Sequence, residues 1–160
     1  MEEAYIYDTV RSPRGKGKKG SLNELSAVTL SAKILKELRE RNSLNTEEIE
    51  DVIWGNVTQV GEQGGCLARS AVIAANYSES TPGLSINRFC ASGLEAVNLA
   101  TNQVKGSAGN AYVAGGVEMM SRVPMGSDGA AIAVDPTLAM NSYFVPQGIS
   151  CLLYTSPSPR

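Results

Sequence analysis

The feature that most constrains the fold of this chain is a regular alternation of short apolar runs with longer stretches whose apolar residues have helical spacing. Four runs rich in β-branched and aromatic residues occur at residues 4–10, 51–60, 84–89 and 110–115. Between them, apolar residues recur at three- and four-residue steps. A β-α-β-α-β-α-β order favours a mostly parallel sheet covered by helices, so we predict an α/β fold.

The predicted helices occupy three stretches. The first follows a capping-box pattern at residues 21–24 and runs to about residue 41. The second, at residues 66–76, is small and apolar on one side. The third opens on another capping-box pattern at residues 92–95 and is expected to end at Gly106.

The absence of histidine limits the chemistry that the 160 residues can perform alone. Histidine is the commonest general base and the commonest neutral metal ligand. A Ser-His-Asp or Cys-His pair therefore cannot be completed within this chain, and no metal site is predicted because the three cysteines form no CxxC pattern. A mechanism that needs imidazole must obtain it from elsewhere.

The net charge and the lack of a recognisable targeting pattern limit the choice of binding partners and of cellular compartment. The net charge of −2 at pH 7 gives no support to a nucleic-acid partner or an anionic membrane surface. No apolar run approaches the length of a bilayer span, and the N-terminus has no signal-peptide pattern. We therefore expect a cytoplasmic protein without membrane insertion.

Cys90 is the candidate nucleophile. It follows a predicted strand and precedes a predicted helix, and the residues after it, Ala91, Ser92 and Gly93, are small. Small residues allow a sharp turn that projects the thiol from the carboxyl edge of the sheet, as in a nucleophile elbow. A helix N-terminus favours a thiolate and offers N–H groups to an oxyanion. The alternative, on the residues alone, is a buried and inert cysteine.

Other candidate sites have weaker patterns. A phosphatase CxxxxxR loop would need arginine at the position of Ala96, and the GxxxxG spacing of residues 15–20 is followed by Ser21 where a phosphate loop has lysine. The basic residues within 11–19 fit a solvated loop or a contact to a phosphate-bearing cofactor. Cys66, at a predicted helix start, fits packing.

The cysteine segment SINRFCASGLEAV, residues 85–97, closely resembles the acyl-enzyme signature of the thiolases. Four shorter segments resemble thiolase motifs in the same order along the chain: VRSPRG at 10–15, GGVEMMS at 115–121, SDG at 127–129 and YFVPQG at 143–148. The resemblance covers about residues 4–149 and implies a thiolase-like N-terminal half-fold.

The resemblance also implies an activity. Thiolases cleave a 3-ketoacyl-CoA with free CoA, or condense two acyl-CoA molecules, and Cys90 corresponds to the nucleophile that becomes acylated. Acyl-CoA and CoA are then the substrates, no cofactor is bound permanently, and no CoA-binding residue is assigned here. A full-length parent is expected to be a homodimer or homotetramer, paired through the sheet edge near residues 110–116.

Thiolases also use a histidine and a second cysteine from motifs that this chain lacks. We therefore expect residues 1–118 to be an incomplete N-terminal thiolase domain and residues 119–149 the start of the loop domain, in a chain that is inactive alone. Residues 150–160 resemble translated adapter DNA and are predicted to be a non-native tail. The alternatives are a related condensing enzyme, such as a ketoacyl synthase, and a non-catalytic interaction polypeptide.

Overall fold

The computed structural model of the protein describes residues 3–17 and 19–155, and it divides into two compact units, Met1–Asp128 and Gly129–Arg160. The first unit holds strands β1 (Asp51–Gly55), β2 (Gly83–Ile86) and β3 (Tyr112–Gly116), helices α1 (Ala27–Asn42), α2 (Leu67–Ala74) and α3 (Ser92–Lys105), and 3-10 turns at Thr46–Glu48 and Gly61–Gln63. The second unit holds helices α4 (Ala131–Val134), α5 (Pro136–Asn141) and α6 (Gln147–Thr155).

The three strands form one parallel sheet in the order β2-β1-β3. Ile53 at the centre of β1 is in register with Leu84 of β2 and Ala114 of β3. The carboxyl ends of parallel strands meet at one edge, so the loops that follow β1, β2 and β3 leave the sheet together. The predicted parallel α/β architecture is confirmed.

Helices cover both faces of this sheet because successive side chains of β1 point in opposite directions. Val52 and Trp54 pack in a buried cluster with residues of α1 and α2. Ile53 packs on the other face with Ala96 and Ala100 of α3. The sheet is therefore the middle of three layers, as a strand-helix alternation predicts.

The predicted opening strand at residues 4–10 is wrong. This segment has no strand structure, and Tyr5, Ile6 and Tyr7 are 67%, 74% and 93% exposed. A cavity of about 1170 Å³ is lined by this segment together with β3 and parts of α1 and α3. A strand needs a neighbour within hydrogen-bonding distance, so an apolar run that faces a cavity does not become one.

Several predicted boundaries also shift, for reasons visible in the hydrogen bonds. Helix α1 begins at Ala27 because the Ser26 hydroxyl accepts the N–H of Thr29 at 3.1 Å and caps the helix there, so the capping box predicted at residues 21–24 is wrong. Strand β1 ends at Gly55, not residue 60, because the chain after it turns towards the loop that follows β3. Strand β2 covers four residues, and α2 is shorter than predicted.

The second unit consists of short helices, and its boundary at Gly129 lies later than residue 119, where the loop domain is predicted to start. Helix α6 extends into the predicted tail, and residues 156–160 lie outside the described residues. The domain and tail assignments stay predictions. Within the described part of the chain, no helix is long and apolar enough to cross a bilayer.

Candidate active site

Cys90 lies in the tight turn between β2 and α3, where its side chain is exposed. The preceding residue, Phe89, has φ +47°, in the left-handed region that side chains with a Cβ rarely occupy. Ala91 is the N-cap of α3 and makes no side-chain capping bond. The predicted sharp turn is thus present, and its sharpness comes from Phe89 rather than from the small residues after the cysteine.

Ser92 closes this turn from the inside. Its side chain is buried, and its hydroxyl accepts the N–H of Arg88 at 2.8 Å and donates to the carbonyl of Phe89 at 2.6 Å. Glu95, the other half of the predicted capping box, forms an ion pair with Arg88 at 3.0 Å. The capping box predicted at residues 92–95 is therefore wrong, because Ser92 lies inside the helix and binds the turn before it.

Asn87 connects the cysteine turn to the loop after β1. Its side-chain oxygen accepts the N–H of Phe89 at 2.8 Å, and its side-chain nitrogen donates to the carbonyl of Val57 at 3.2 Å. The two loops are therefore joined by one side chain at the carboxyl edge of the sheet. Sequence reasoning placed Asn87 in the cysteine motif and gave it no role of its own.

Glu118, in the loop after β3, accepts hydrogen bonds from several groups of the loop after β1. Its carboxylate accepts the backbone N–H groups of Val57 and Thr58 at 2.8 and 3.3 Å, and side-chain amides of Gln63 and Asn56 at 2.8 and 3.4 Å. Hydrogen bonds to a charged acceptor are stronger than neutral ones. The signal in the sequence was the acidic residue directly after a strand, in the GGVEMMS segment.

A second link joins the same two loops. The guanidinium of Arg122 donates to both carboxylate oxygens of Glu62, at 2.6 and 2.5 Å, and to the carbonyl of Asn23 at 3.1 Å. The hydrogen bonds from Arg122 lower the pKa of Glu62, and its positive charge adds to this, against a smaller opposing effect of desolvation. The pair therefore keeps Glu62 ionised to a lower pH than a glutamate without a partner.

Gly55 explains how closely α3 approaches the end of β1. A Cβ on Gly55 would lie 2.5 Å from the Ser92 carbonyl carbon and 2.6 Å from the Gly93 nitrogen. These are backbone atoms and cannot swing away as a flexible side chain could. The first turn of α3 therefore lies directly against β1 only because residue 55 has no side chain.

The structure separates the other cysteine of this unit from Cys90. Cys66 is the N-cap of α2, and its thiol donates to the carbonyl of Gly83, at the start of β2. Cys90 follows the other end of the same strand. Cys66 therefore does not join the turn around Cys90, and it is exposed rather than packed in the core, which differs from its predicted packing role.

Chemically, this edge of the sheet offers an exposed cysteine next to the first turn of a 14-residue helix. The first N–H groups of a helix lack partners within it and carry positive partial charge, which suits an attacking thiolate and a developing oxyanion. The fold and this turn define a parallel α/β protein with a cysteine presented between strand and helix.

Comparison with known proteins gives the family. The model of the thiolase N-terminal domain matches residues 4–155, so the chain belongs to the thiolase family. It is 41% identical over 142 residues to the 3-ketoacyl-CoA thiolase of Colwellia psychrerythraea, covering 88% of this chain and 36% of the relative. It is 40% identical over 126 residues to that of Pseudoalteromonas atlantica, covering 78% and 33%.

A solved structure agrees with the sequence relatives. The chain is similar to the crystal structure of the Bacillus anthracis acetyl-CoA acetyltransferase, with a TM-score of 0.60 and 33% sequence identity. The match covers 64% of this chain and 26% of the acetyltransferase chain. The predicted thiolase-like fold is therefore confirmed. The chain spans about a third of the length of the curated relatives that it matches.

Proposed function

We propose that this chain contributes the acyl-accepting cysteine, Cys90, of an acetyl-CoA C-acyltransferase. The observation that carries the proposal is the exposed Cys90 in the turn between β2 and the helix α3, in a chain of the thiolase family. The names of the relatives point to a 3-ketoacyl-CoA as the substrate class and to acetyl-CoA as a product or reactant. This is the chemistry of fatty-acid β-oxidation or of its reverse.

The proposed reaction has two half-reactions, and in each of them one bond forms while another breaks. The Cys90 thiolate attacks the keto carbon of a 3-ketoacyl-CoA, a new C–S bond forms, and the bond to the α-carbon breaks to release acetyl-CoA after that carbon takes a proton. Free CoA then attacks the acyl-cysteine, forming a new acyl-CoA and returning the thiolate. The acyl-cysteine is itself a thioester, so its acyl group remains activated for transfer to CoA in the second step. In the condensing direction the same bonds form and break in reverse.

Turnover needs groups that this chain does not contain. The thiol must lose a proton and the departing carbanion must gain one, and the 160 residues include no histidine. We propose that an imidazole and a second cysteine come from outside these residues, and that the chain alone is inactive in thiolysis. We propose a homodimer or homotetramer for the whole enzyme, CoA thioesters as its substrates and no permanently bound cofactor.

The first test measures acylation of the chain itself. The chain is incubated with acetyl-CoA at mildly alkaline pH, and the acetylated cysteines are identified by peptide mass spectrometry, with Cys90→Ser as the matched control. We expect acetylation at Cys90 to exceed that at Cys66 and Cys151, because Cys90 is the cysteine of the acyl-enzyme segment. Cys66 also lies at a helix N-terminus, but its thiol donates a hydrogen bond to the Gly83 carbonyl. Equal acetylation of the three cysteines would contradict the proposal.

A second test places this chain in a full-length thiolase. Residues 4–149 replace the aligned part of the Colwellia psychrerythraea thiolase, and thiolysis of acetoacetyl-CoA is followed. The chimera is expected to be active, Cys90→Ser is expected to reduce kcat on the order of 10³-fold or more, and Cys66→Ser is expected to keep most of the activity. An active chimera that tolerates Cys90→Ser would overturn the assignment and favour a non-catalytic role for this segment.

A further inference from the structure

The turn that presents Cys90 is held in an unfavourable backbone conformation. Phe89 has φ +47°, and a residue with a Cβ keeps this conformation only when its surroundings impose it. Phe89 is 60% exposed, so burial against the core does not impose this conformation. The cause must lie in the hydrogen bonds of the turn.

Two backbone hydrogen bonds close the turn, from the N–H of Ala91 to the Arg88 carbonyl at 3.1 Å and from the N–H of Ser92 to the Phe89 carbonyl at 3.0 Å. Two side chains add further bonds, one on each side of Cys90. On the helix side, the buried Ser92 hydroxyl bridges the N–H of Arg88 and the carbonyl of Phe89. On the strand side, the side-chain oxygen of Asn87 accepts the N–H of Phe89 itself, at 2.8 Å. An asparagine that accepts the N–H two residues later forms a local turn that competes with extended backbone.

Asn87 is itself held in place from the neighbouring loop. Its side-chain nitrogen donates to the Val57 carbonyl at 3.2 Å, and the N–H of the same Val57 donates to the Glu118 carboxylate at 2.8 Å. The Asn87 side chain is therefore fixed at both of its polar atoms. A continuous series of hydrogen bonds runs from Glu118 through Val57 and Asn87 to the residue before Cys90.

We infer that Asn87 is a positioning residue for Cys90: it holds Phe89 in the left-handed conformation that sets Cys90 directly before the N-cap of α3. This inference deepens the proposed function and rests on it for its catalytic meaning. Without the Asn87 amide, Phe89 relaxes towards negative φ and the sulfur moves away from the first N–H groups of the helix. The thiolate then loses the favourable interaction with the helix N-terminus.

The experiment measures alkylation of Cys90 by iodoacetamide in the chain itself, with Cys66 in the same molecule as internal reference. Peptide mass spectrometry gives the rate at each cysteine, and the fluorescence of Trp54, the single tryptophan, reports the fold. Asn87→Ala is expected to lower the Cys90 to Cys66 rate ratio about two- to fivefold, the range that a helix terminus contributes. The Trp54 emission and the Cys66 rate are expected to stay unchanged.

Variants at position 89 separate positioning from a general loss of structure. Glycine adopts positive φ at no steric cost, so adding Phe89→Gly to Asn87→Ala is expected to restore the ratio to within about twofold of the parent. Phe89→Ala removes the same ring but keeps a Cβ, so adding it is expected to restore nothing. Phe89→Gly alone is expected to leave the ratio near that of the parent.

Two results would overturn the inference: an Asn87→Ala ratio equal to that of the parent, or equal rescue by glycine and alanine at position 89. Alkylation needs neither CoA nor acyl transfer, so it is independent of the proposed activity. A chain that shows the glycine rescue but no preferential acetylation of Cys90 would refute the proposed function alone. Preferential acetylation without any effect of Asn87→Ala would refute the positioning role alone.

Discussion

Tyr77 shows how one side chain couples helix packing to pH. It is 6% exposed, and its hydroxyl donates to the carbonyl of Leu35 in α1 at 2.9 Å. Burial raises the pKa of Tyr77 from 10.0 to about 12, against a smaller opposing effect of Arg39. The folded state therefore keeps the phenol protonated at a pH where the unfolded chain has lost its proton. Its contribution is complete below pH 10 and is lost as the pH rises towards 12.

Tyr77→Phe tests this coupling. At neutral pH the variant is expected to lose about 1 kcal/mol of unfolding free energy with the hydrogen bond to Leu35. Above about pH 10 the parent is expected to lose stability more steeply than the variant, because the variant has no phenol to ionise at that position. Urea unfolding followed by Trp54 fluorescence at neutral and alkaline pH gives both quantities. Parallel pH profiles for the two proteins would contradict the assignment.

At the scale of elements, the contact between β1 and α3 determines where the cysteine turn can lie. The end of β1 meets the start of α3 backbone to backbone at Gly55, and this contact exists because a side chain is absent. The side of α3 that covers the sheet is apolar as predicted, with Ala96 and Ala100 buried. The periodicity of apolar residues predicts the apolar face of α3. The close contact between α3 and β1 depends instead on two segments that are distant in the sequence.

Gly55→Ala and Gly93→Ala form a matched pair for this contact. The Cβ of the first would lie 2.5 Å from the backbone of Ser92, whereas a Cβ on Gly93 meets nothing within 4 Å. Gly55→Ala is expected to lose about 1–3 kcal/mol of unfolding free energy by overpacking. Gly93→Ala is expected to be neutral or to gain up to about 1 kcal/mol from helix propensity. Urea midpoints followed by Trp54 fluorescence measure both, and equal losses would refute the close contact.

For the whole molecule, stability resides in the first unit. The buried apolar side chains of the described chain run from Ala27 to Val123, and both core clusters lie on the three-stranded sheet. The large apolar side chains that remain exposed include members of the second unit, such as Met140 and Tyr143 at 87% each. Residues 129–151 of the second unit therefore add no buried residue to the core.

Deletion of Gly129–Arg160 tests this division. The shortened chain is expected to keep the Trp54 emission maximum and the unfolding free energy of the parent to within about 1 kcal/mol, because no residue from 129 to 151 is buried. The measurement is urea unfolding of both chains followed by Trp54 fluorescence. Loss of the cooperative transition on deletion would show that the two units fold as one.

The sequence by itself determined the layered α/β architecture and the segment that carries Cys90. Both depend on local patterns: apolar periodicity distinguishes strands from helices, and the cysteine motif is continuous in the chain. The opening strand and the two capping boxes failed because their residues found other surroundings in the folded chain. Residues 4–10 face a cavity, Ser26 rather than Ser21 caps α1, and Ser92 binds the turn before it.

Only the tertiary structure decided the hydrogen bonds that shape the candidate site. Asn87 meets Val57 across 30 residues of sequence, and Glu118 meets the N–H of Val57 across 61. A polar side chain has several donors or acceptors within possible reach, and local spacing does not choose among them. The choice is made when the sheet brings the carboxyl ends of its strands to one edge, since partners far apart in the chain then lie within hydrogen-bonding distance.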